Sequence, residues 1–181
     1  NNIMPTLNLA NGVSVISQAY DNGGTFDFTN GAGSVAFTGL GAYSYNVSLD
    51  SNDIVITSSE SDTIDVNGDS AFVFSRGGDD IITANLGNYS RIYTNAGDDN
   101  IEVTFNGANS RVSGGSGNDE IIVYNYSSGN TIAGVTGDDT VTIHARNKEA
   151  DGVKQFASMI IERNEGNDNY ILDFTEGQGQ Y

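Results

Sequence analysis

Gly78-Asp79-Asp80-Ile81-Ile82, Gly97-Asp98-Asp99-Asn100-Ile101, Gly117-Asn118-Asp119-Glu120-Ile121 and Gly137-Asp138-Asp139-Thr140-Val141 are one phrase written four times. The leading glycines recur at intervals of 19, 20 and 20 residues, and two residues after the aspartate in third place (Asp80, Asp99, Asp119 or Asp139) stands Ile82, Ile101, Ile121 or Val141. A fixed period of this length marks a solenoid, in which each repeat buries its apolar face only by stacking on its neighbours. Midway between the phrases lie Ser90-Arg91-Ile92, Ser110-Arg111-Val112 and Asn130-Thr131-Ile132, whose aliphatic residues keep the same offset. The spacing therefore predicts an all-β fold, a parallel β-solenoid whose coil is two short strands and two turns in 19 to 20 residues.

Upstream, Asp53-Ile54-Val55, Asp62-Thr63-Ile64 and Ser70-Ala71-Phe72 continue the half-coil spacing, so coils are expected from residue 51 onward. Before that point Thr25-Phe26-Asp27-Phe28 and Ser34-Val35-Ala36-Phe37 alternate around Asn30-Gly31-Ala32-Gly33, and Tyr43, Tyr45, Val47 and Leu49 alternate after them. Alternation broken by glycine turns predicts antiparallel strands. Residues 1–50 are thus expected to form a strand-rich N-terminal cap, with first coils lacking the acidic phrase as the competing reading. Downstream, Ser158-Met159-Ile160 resembles the half-turns and Gly166-Asn167-Asp168 resembles the acidic phrase, but Ser158 stands 19 residues past Asp139, where the half-coil is about half that. Roughly nine residues are inserted, giving a single domain with coils over 51–144 and 155–175 and an inserted loop over 145–154. Arg146 and Lys148 lie in that loop and Lys154 at its end, and inserted loops often shape a solenoid's binding face; a solvated excursion or a short helix over the last coil is the alternative.

The chain has 24 acids against 7 Lys plus Arg, a formal charge of -17. That excludes a nucleic-acid surface, which needs a basic stripe to meet phosphate. Disorder is disfavoured because Ile, Val, Phe and Tyr keep a fixed phase with the acids. Cysteine is absent, so neither a disulfide frame nor a thiolate metal site exists. No apolar run reaches the roughly 18 residues of a membrane span and no signal peptide is apparent, so a monomeric, non-inserting domain of a larger chain is expected.

In a parallel solenoid, equivalent residues stack at about 4.8 Å, so Asp80, Asp99, Asp119 and Asp139 are predicted to form one column. Two unit charges that close repel by about 3.5 kcal/mol at an effective dielectric near 20. Calcium bonds oxygen at about 2.3 to 2.6 Å, so an ion between two coils reaches both carboxylates while glycine turns bring in carbonyl oxygens. Magnesium prefers shorter bonds and retained water, and zinc would want Cys or more than the one His present. One Gly-Asp pair alone is an ordinary turn; four in register are not. Asp98 and Asp138, like Asp79, either add second carboxylates or face water.

Gly114-Gly115-Ser116-Gly117-Asn118-Asp119-Glu120-Ile121-Ile122 matches the whole G-G-x-G-x-D-x-U-x nonapeptide of RTX proteins. The chain resembles an RTX calcium β-roll over roughly residues 50 to 180, most specifically over 76 to 143. The other phrases lose one or both leading glycines, as at Thr94-Asn95 and Ser75-Arg76. The resemblance implies calcium between successive turns, bridged by the motif aspartates with the turn glycines Gly78, Gly97, Gly115, Gly117 and Gly137 around them. It implies three ions in the gaps among Asp80, Asp99, Asp119 and Asp139, extended by Asp62 and Asp168 to three to five Ca2+. It also implies a secreted or surface-displayed bacterial product, exported by a type I system and folded by extracellular calcium. On the opposite side Ser90, Ser110 and Asn130 stand where aspartate would, so that side is expected to be metal-poor and held by hydroxyl and amide ladders.

No catalytic constellation is evident, and His144 has no nucleophile to activate, so an enzyme is not expected. The first functional reading is a calcium-dependent ligand-binding module of a large adhesin. Arg91 and Arg111 should stack one coil apart with Tyr93 beside them and Tyr124 and Tyr126 on the coil above; with Arg146 and Lys148 these are the candidate ligand contacts. The ligand would be an extracellular peptide, through its free C-terminus, or a glycan. Ordinary strand surface is the alternative for those residues. The second reading is a noncatalytic C-terminal module that assists folding and export of a secreted protease, lipase or alginate-modifying enzyme.

Overall fold

The computed structural model describes residues 6–8, 15–20, 23–29, 35–145, 147–150, 153–162 and 165–174. Successive strands alternate between two sheets, each parallel throughout. Nine strands, from Thr6–Asn8 to Asn169–Asp173, form one; eight, from Val15–Tyr20 to Met159–Ile161, form the other. The molecule is a parallel β-solenoid, with no helix among the described residues and hence none long and apolar enough to cross a membrane.

Register follows the repeat. Ile81 pairs with Asn100, Asn100 with Glu120 and Glu120 with Thr140 in one sheet, while Arg91 pairs with Arg111 and Arg111 with Thr131 in the other. Because side chains alternate along a strand, this register stacks Ile64, Ile82, Ile101, Ile121 and Val141 in one buried column and Val73, Ile92, Val112 and Ile132 in the facing one. A stacked column fully removes its methyl groups from water, at about 25 cal/mol per Å² of apolar surface.

Residues 24–29 and 35–49 belong to coils of the same parallel solenoid, which corrects the expected antiparallel cap. Gly24–Asp27 pairs in parallel with Tyr45–Leu49, and Val15–Tyr20 with Val35–Gly39. Period-two alternation says which residues point inward but not which strand lies beside which, so both arrangements share one pattern. These coils carry an aromatic core: the Phe26 and Phe37 rings lie 4.8 Å apart, and Tyr45 packs edge-on against Phe37 at 5.7 Å. The Tyr45 hydroxyl, carried into this core, donates to the Leu40 carbonyl at 2.7 Å.

The insertion is an antiparallel hairpin, Asn147–Ala150 against Val153–Phe156, from which winding resumes at Met159. Thr140 pairs with Asn169 across 29 residues, nine more than the 20 separating Glu120 from Thr140, so the hairpin leaves the stack without disturbing register.

Candidate functional site

Each acidic phrase closes one corner of the coil. Gly97, Gly117, Gly137 and Gly166 have φ between +124° and +137°, in the left-handed half of the map. They are also stacked: a Cβ on Gly117 would lie 1.9 Å from the Gly97 carbonyl oxygen, and one on Gly137 1.7 Å from that of Gly117. Glycine alone lets neighbouring turns approach this closely.

Two ladders rise from the corner. The outer one is exposed: Asp98 N–H donates to Asp79 Oδ1 at 2.9 Å, Asn118 N–H to Asp98 at 2.8 Å, Asp138 N–H to Asn118 at 2.9 Å and Asn167 N–H to Asp138 at 2.9 Å. Asp98 and Asp138 thus face water and hold the next turn's main chain, apart from the buried column. The inner ladder runs the other way. The N–H groups of Asp62, Asp80, Asp99, Asp119 and Asp139 donate to Oδ1 of Asp80, Asp99, Asp119, Asp139 and Asp168 at 2.8 to 3.1 Å. Asp80, Asp99, Asp119 and Asp139 are no more than 2 % exposed, and Oδ2 of all four is buried without a hydrogen-bond partner. Asp62 differs, because its two oxygens accept from Tyr45 N–H at 2.7 Å and Ser58 N–H at 3.2 Å.

An unpartnered buried carboxylate oxygen is costly, and it drives the pKa upward. Burial pushes Asp80 up to about 8 and Asp119 up to about 7, against N–H donation that pulls down, and neighbouring column carboxylates add to the rise. Asp62, Asp99 and Asp139 are raised for the same first reason. Each carboxylate therefore needs either a proton or a cation. The donor set fits calcium: hard carboxylate oxygens in a corner of closely stacked main chain, with neither thiolate nor imidazole in it. No cluster of three or more His, Cys, Asp or Glu side chains is gathered around one point among the described residues, so carbonyl oxygens would have to complete a coordination shell.

A third strip lies beside the column. Five residues before each aspartate stand Thr57, Ser75, Thr94, Gly114 and Gly134, the first three wholly buried. Thr57 Oγ1 donates to the Ser75 carbonyl at 3.1 Å, Ser75 Oγ to the Thr94 carbonyl at 3.2 Å, and Thr94 Oγ1 to the Gly114 carbonyl. In sequence Ser75 and Thr94 read as replacements for leading glycines of the nonapeptide; the signal for a hydroxyl strip is the five-residue spacing of Thr57, Ser75 and Thr94 before an aspartate.

The opposite corner does the same work with neutral groups, as its sequence implied. Ala71 N–H donates to Ser90 Oγ at 3.2 Å, Ser90 N–H to Ser110 Oγ at 3.0 Å and Ser110 N–H to Asn130 Oδ1 at 2.9 Å. Asp53 ends this ladder with both oxygens occupied, by Val35 and Asp50 N–H groups at 3.0 Å, and burial still raises it to about 6.

The candidate ligand contacts do not converge. Arg91, Tyr93 and Arg111 share the outward face of the eight-stranded sheet, with Arg91 and Arg111 stacked as expected. Tyr124 is on the outward face of the other sheet, stacked on His144 at 4.8 Å, and Tyr126 occupies the turn after that strand. Arg111 is held by both oxygens of Glu162, one contact at 2.6 Å, and Arg91 turns back to the Ser90 carbonyl at 2.9 Å and to that of Asn109. The Tyr93 ring stacks on Phe74 at 5.2 Å. Lys148 is on the hairpin, opposite Gln155, and Arg146 lies outside the described residues. His144 Nδ1 meets Asp173 Oδ2 at 2.7 Å, a contact between neighbouring coils.

No protein-family model matches the chain, and neither a curated protein nor a solved structure matches it.

Proposed function

We propose that this domain is an RTX-type calcium β-roll and serves as the ligand-binding module of a secreted or surface-displayed bacterial adhesin, capturing a peptide C-terminus or a glycan. The observation that carries the calcium reading is the set of four buried Oδ2 atoms, on Asp80, Asp99, Asp119 and Asp139, that no hydrogen bond satisfies. A divalent ion would offset both their desolvation and their mutual repulsion. Metal would then be coupled to folding, because the column exists only when the coils are wound.

A binding role is favoured by the outward face of the eight-stranded sheet. Ile54, Phe72, Phe74 and Tyr93 lie there beside Arg91, an apolar and aromatic row on a chain otherwise rich in acids. The test is retention of the calcium-loaded domain on peptide and glycan arrays. Binding to one class with release in chelator is expected; no retention on either would overturn the adhesin reading.

The second reading, a noncatalytic folding and export module, is favoured by a different observation: Arg111, Tyr93 and Tyr124 are engaged by Glu162, Phe74 and His144 and divided between two faces. It expects calcium-dependent folding with no ligand on either array.

A further inference from the structure

The gaps between stacked aspartates are unequal, and the strip five residues upstream makes them so. Where that strip carries Thr57, Ser75 and Thr94, each hydroxyl reaches across its gap to donate its proton to the Ser75, Thr94 or Gly114 carbonyl of the next coil, so the space beside the column is already bridged. From residue 114 the strip changes. Gly114 has no hydroxyl to offer the coil above, and Asp119 Oδ2 lies where a Cβ on Gly114 would come within 2.1 Å of it. Gly134 repeats the omission in the next coil. Oδ2 is buried and unpartnered on Asp119 and Asp139 as it is on Asp80 and Asp99, so what distinguishes the upper gap is the missing hydroxyl.

We propose that the aspartate column is divided: the gap between the coils of Asp119 and Asp139, bounded by Gly114 and Gly134, holds the divalent cation, whereas the hydroxyl chain of Thr57, Ser75 and Thr94 stands in place of metal in the gaps below. This rests on the calcium reading above and sharpens it to one ion in the three gaps from Asp80 to Asp139, where equal gaps would take three. A hydroxyl and a cation are alternative ways to bridge neighbouring coils, and a coil with the hydroxyl built in keeps its corner without calcium.

Calorimetric titration of the 181-residue chain with CaCl2, with circular dichroism as a check on folding, tests the division. Asparagine is the right replacement because it keeps the ladder acceptor, as Asn130 does at the other corner. Asp119→Asn and Asp139→Asn are each expected to weaken calcium binding by at least about ten-fold through loss of a charged ligand, and Asp80→Asn by less than about two-fold. Thr94→Gly, which opens the next gap down, is expected to raise the stoichiometry by one ion. Three ions in the wild-type chain, or equal losses in Asp80→Asn and Asp119→Asn, would overturn the division while leaving calcium binding intact. Absence of any heat or thermal shift in the wild-type chain at millimolar calcium would instead remove the calcium reading itself.

Discussion

The two corners of each coil solve one problem with different chemistry. At both, the residue that leads into a strand turns its side chain inward and accepts the main-chain N–H of the coil before it. At the neutral corner Ser90, Ser110 and Asn130 do this with hydroxyl and amide oxygens; at the other, Asp80, Asp99, Asp119 and Asp139 do it with carboxylates. A hydroxyl or carboxamide would complete the ladder at the second corner with no charge to desolvate. The carboxylates leave a second oxygen buried and unsatisfied, a cost of roughly 1 to 3 kcal/mol or more for each. The difference shows that the aspartates are not needed for the ladder, so their charge requires another reason.

The comparison breaks most visibly at its glycines. Gly117→Ala drives a methyl group into the Gly97 carbonyl and is expected to cost about 3 kcal/mol or more. Gly129→Ala, at the neutral corner, meets nothing nearer than Asn109 Oδ1 at 3.3 Å and pays only for its φ of +84°, about 1 kcal/mol. Urea denaturation of both variants measures the contrast; equal losses would mean that the acidic corner is no tighter than the other.

Removing a neutral rung comes next. Ser110→Ala leaves the Ser90 N–H unsatisfied in the interior and is expected to cost about 1 to 3 kcal/mol with calcium affinity unchanged. Thermal unfolding with and without calcium checks this, and a lost calcium response would join the corners functionally.

The pH dependence separates proton from cation. Burial raises the Asp80 carboxyl to about 8 and Asp119 to about 7, so the folded chain binds these protons more tightly than the unfolded chain, where the value is 3.8. The resulting stability is fully present below pH 4 and is lost as pH rises through 7 to 8. The melting temperature of metal-free protein, considering the column alone, is expected to fall over this window, and saturating calcium should reverse the fall. Asp80→Asn with Asp119→Asn should flatten the metal-free profile, whereas Ser110→Ala should leave its shape intact.

The smallest effect concerns a side chain in a glycine's place. Val135 has φ +98° at the position stacked on Gly115, whose φ is +105°. A β-branched residue is strained there, so Val135→Gly is expected to stabilise the domain by about 1 kcal/mol, measured by urea denaturation.

Much of the comparison was legible in the residues themselves. Gly-x-Asp at intervals of 19 and 20, with an aliphatic residue two positions on, placed both the buried stack and the carboxylate column before any strand was seen. Ser90, Ser110 and Asn130 read correctly as the neutral ladder for the same reason. The parallel pairing of the strands Gly24–Asp27, Val35–Gly39 and Tyr45–Leu49 was not legible, because Phe26, Phe28 and Phe37 alternate in the same way in a hairpin and in a coil. Nor was the separation of Tyr93 from Tyr124, since half a coil moves a residue to the other sheet while the chain between looks unchanged.

By itself the sequence determined the period, the inward residues and the glycines that let turns stack, since each follows from local spacing and from what a residue type permits. Tertiary structure decided which carboxylate oxygens are left over, that Arg111 is occupied by a glutamate 51 residues away, and that the inserted residues pair with each other as an antiparallel hairpin. These depend on which atoms meet across coils, and a partner chosen by winding leaves no mark in the spacing of either residue.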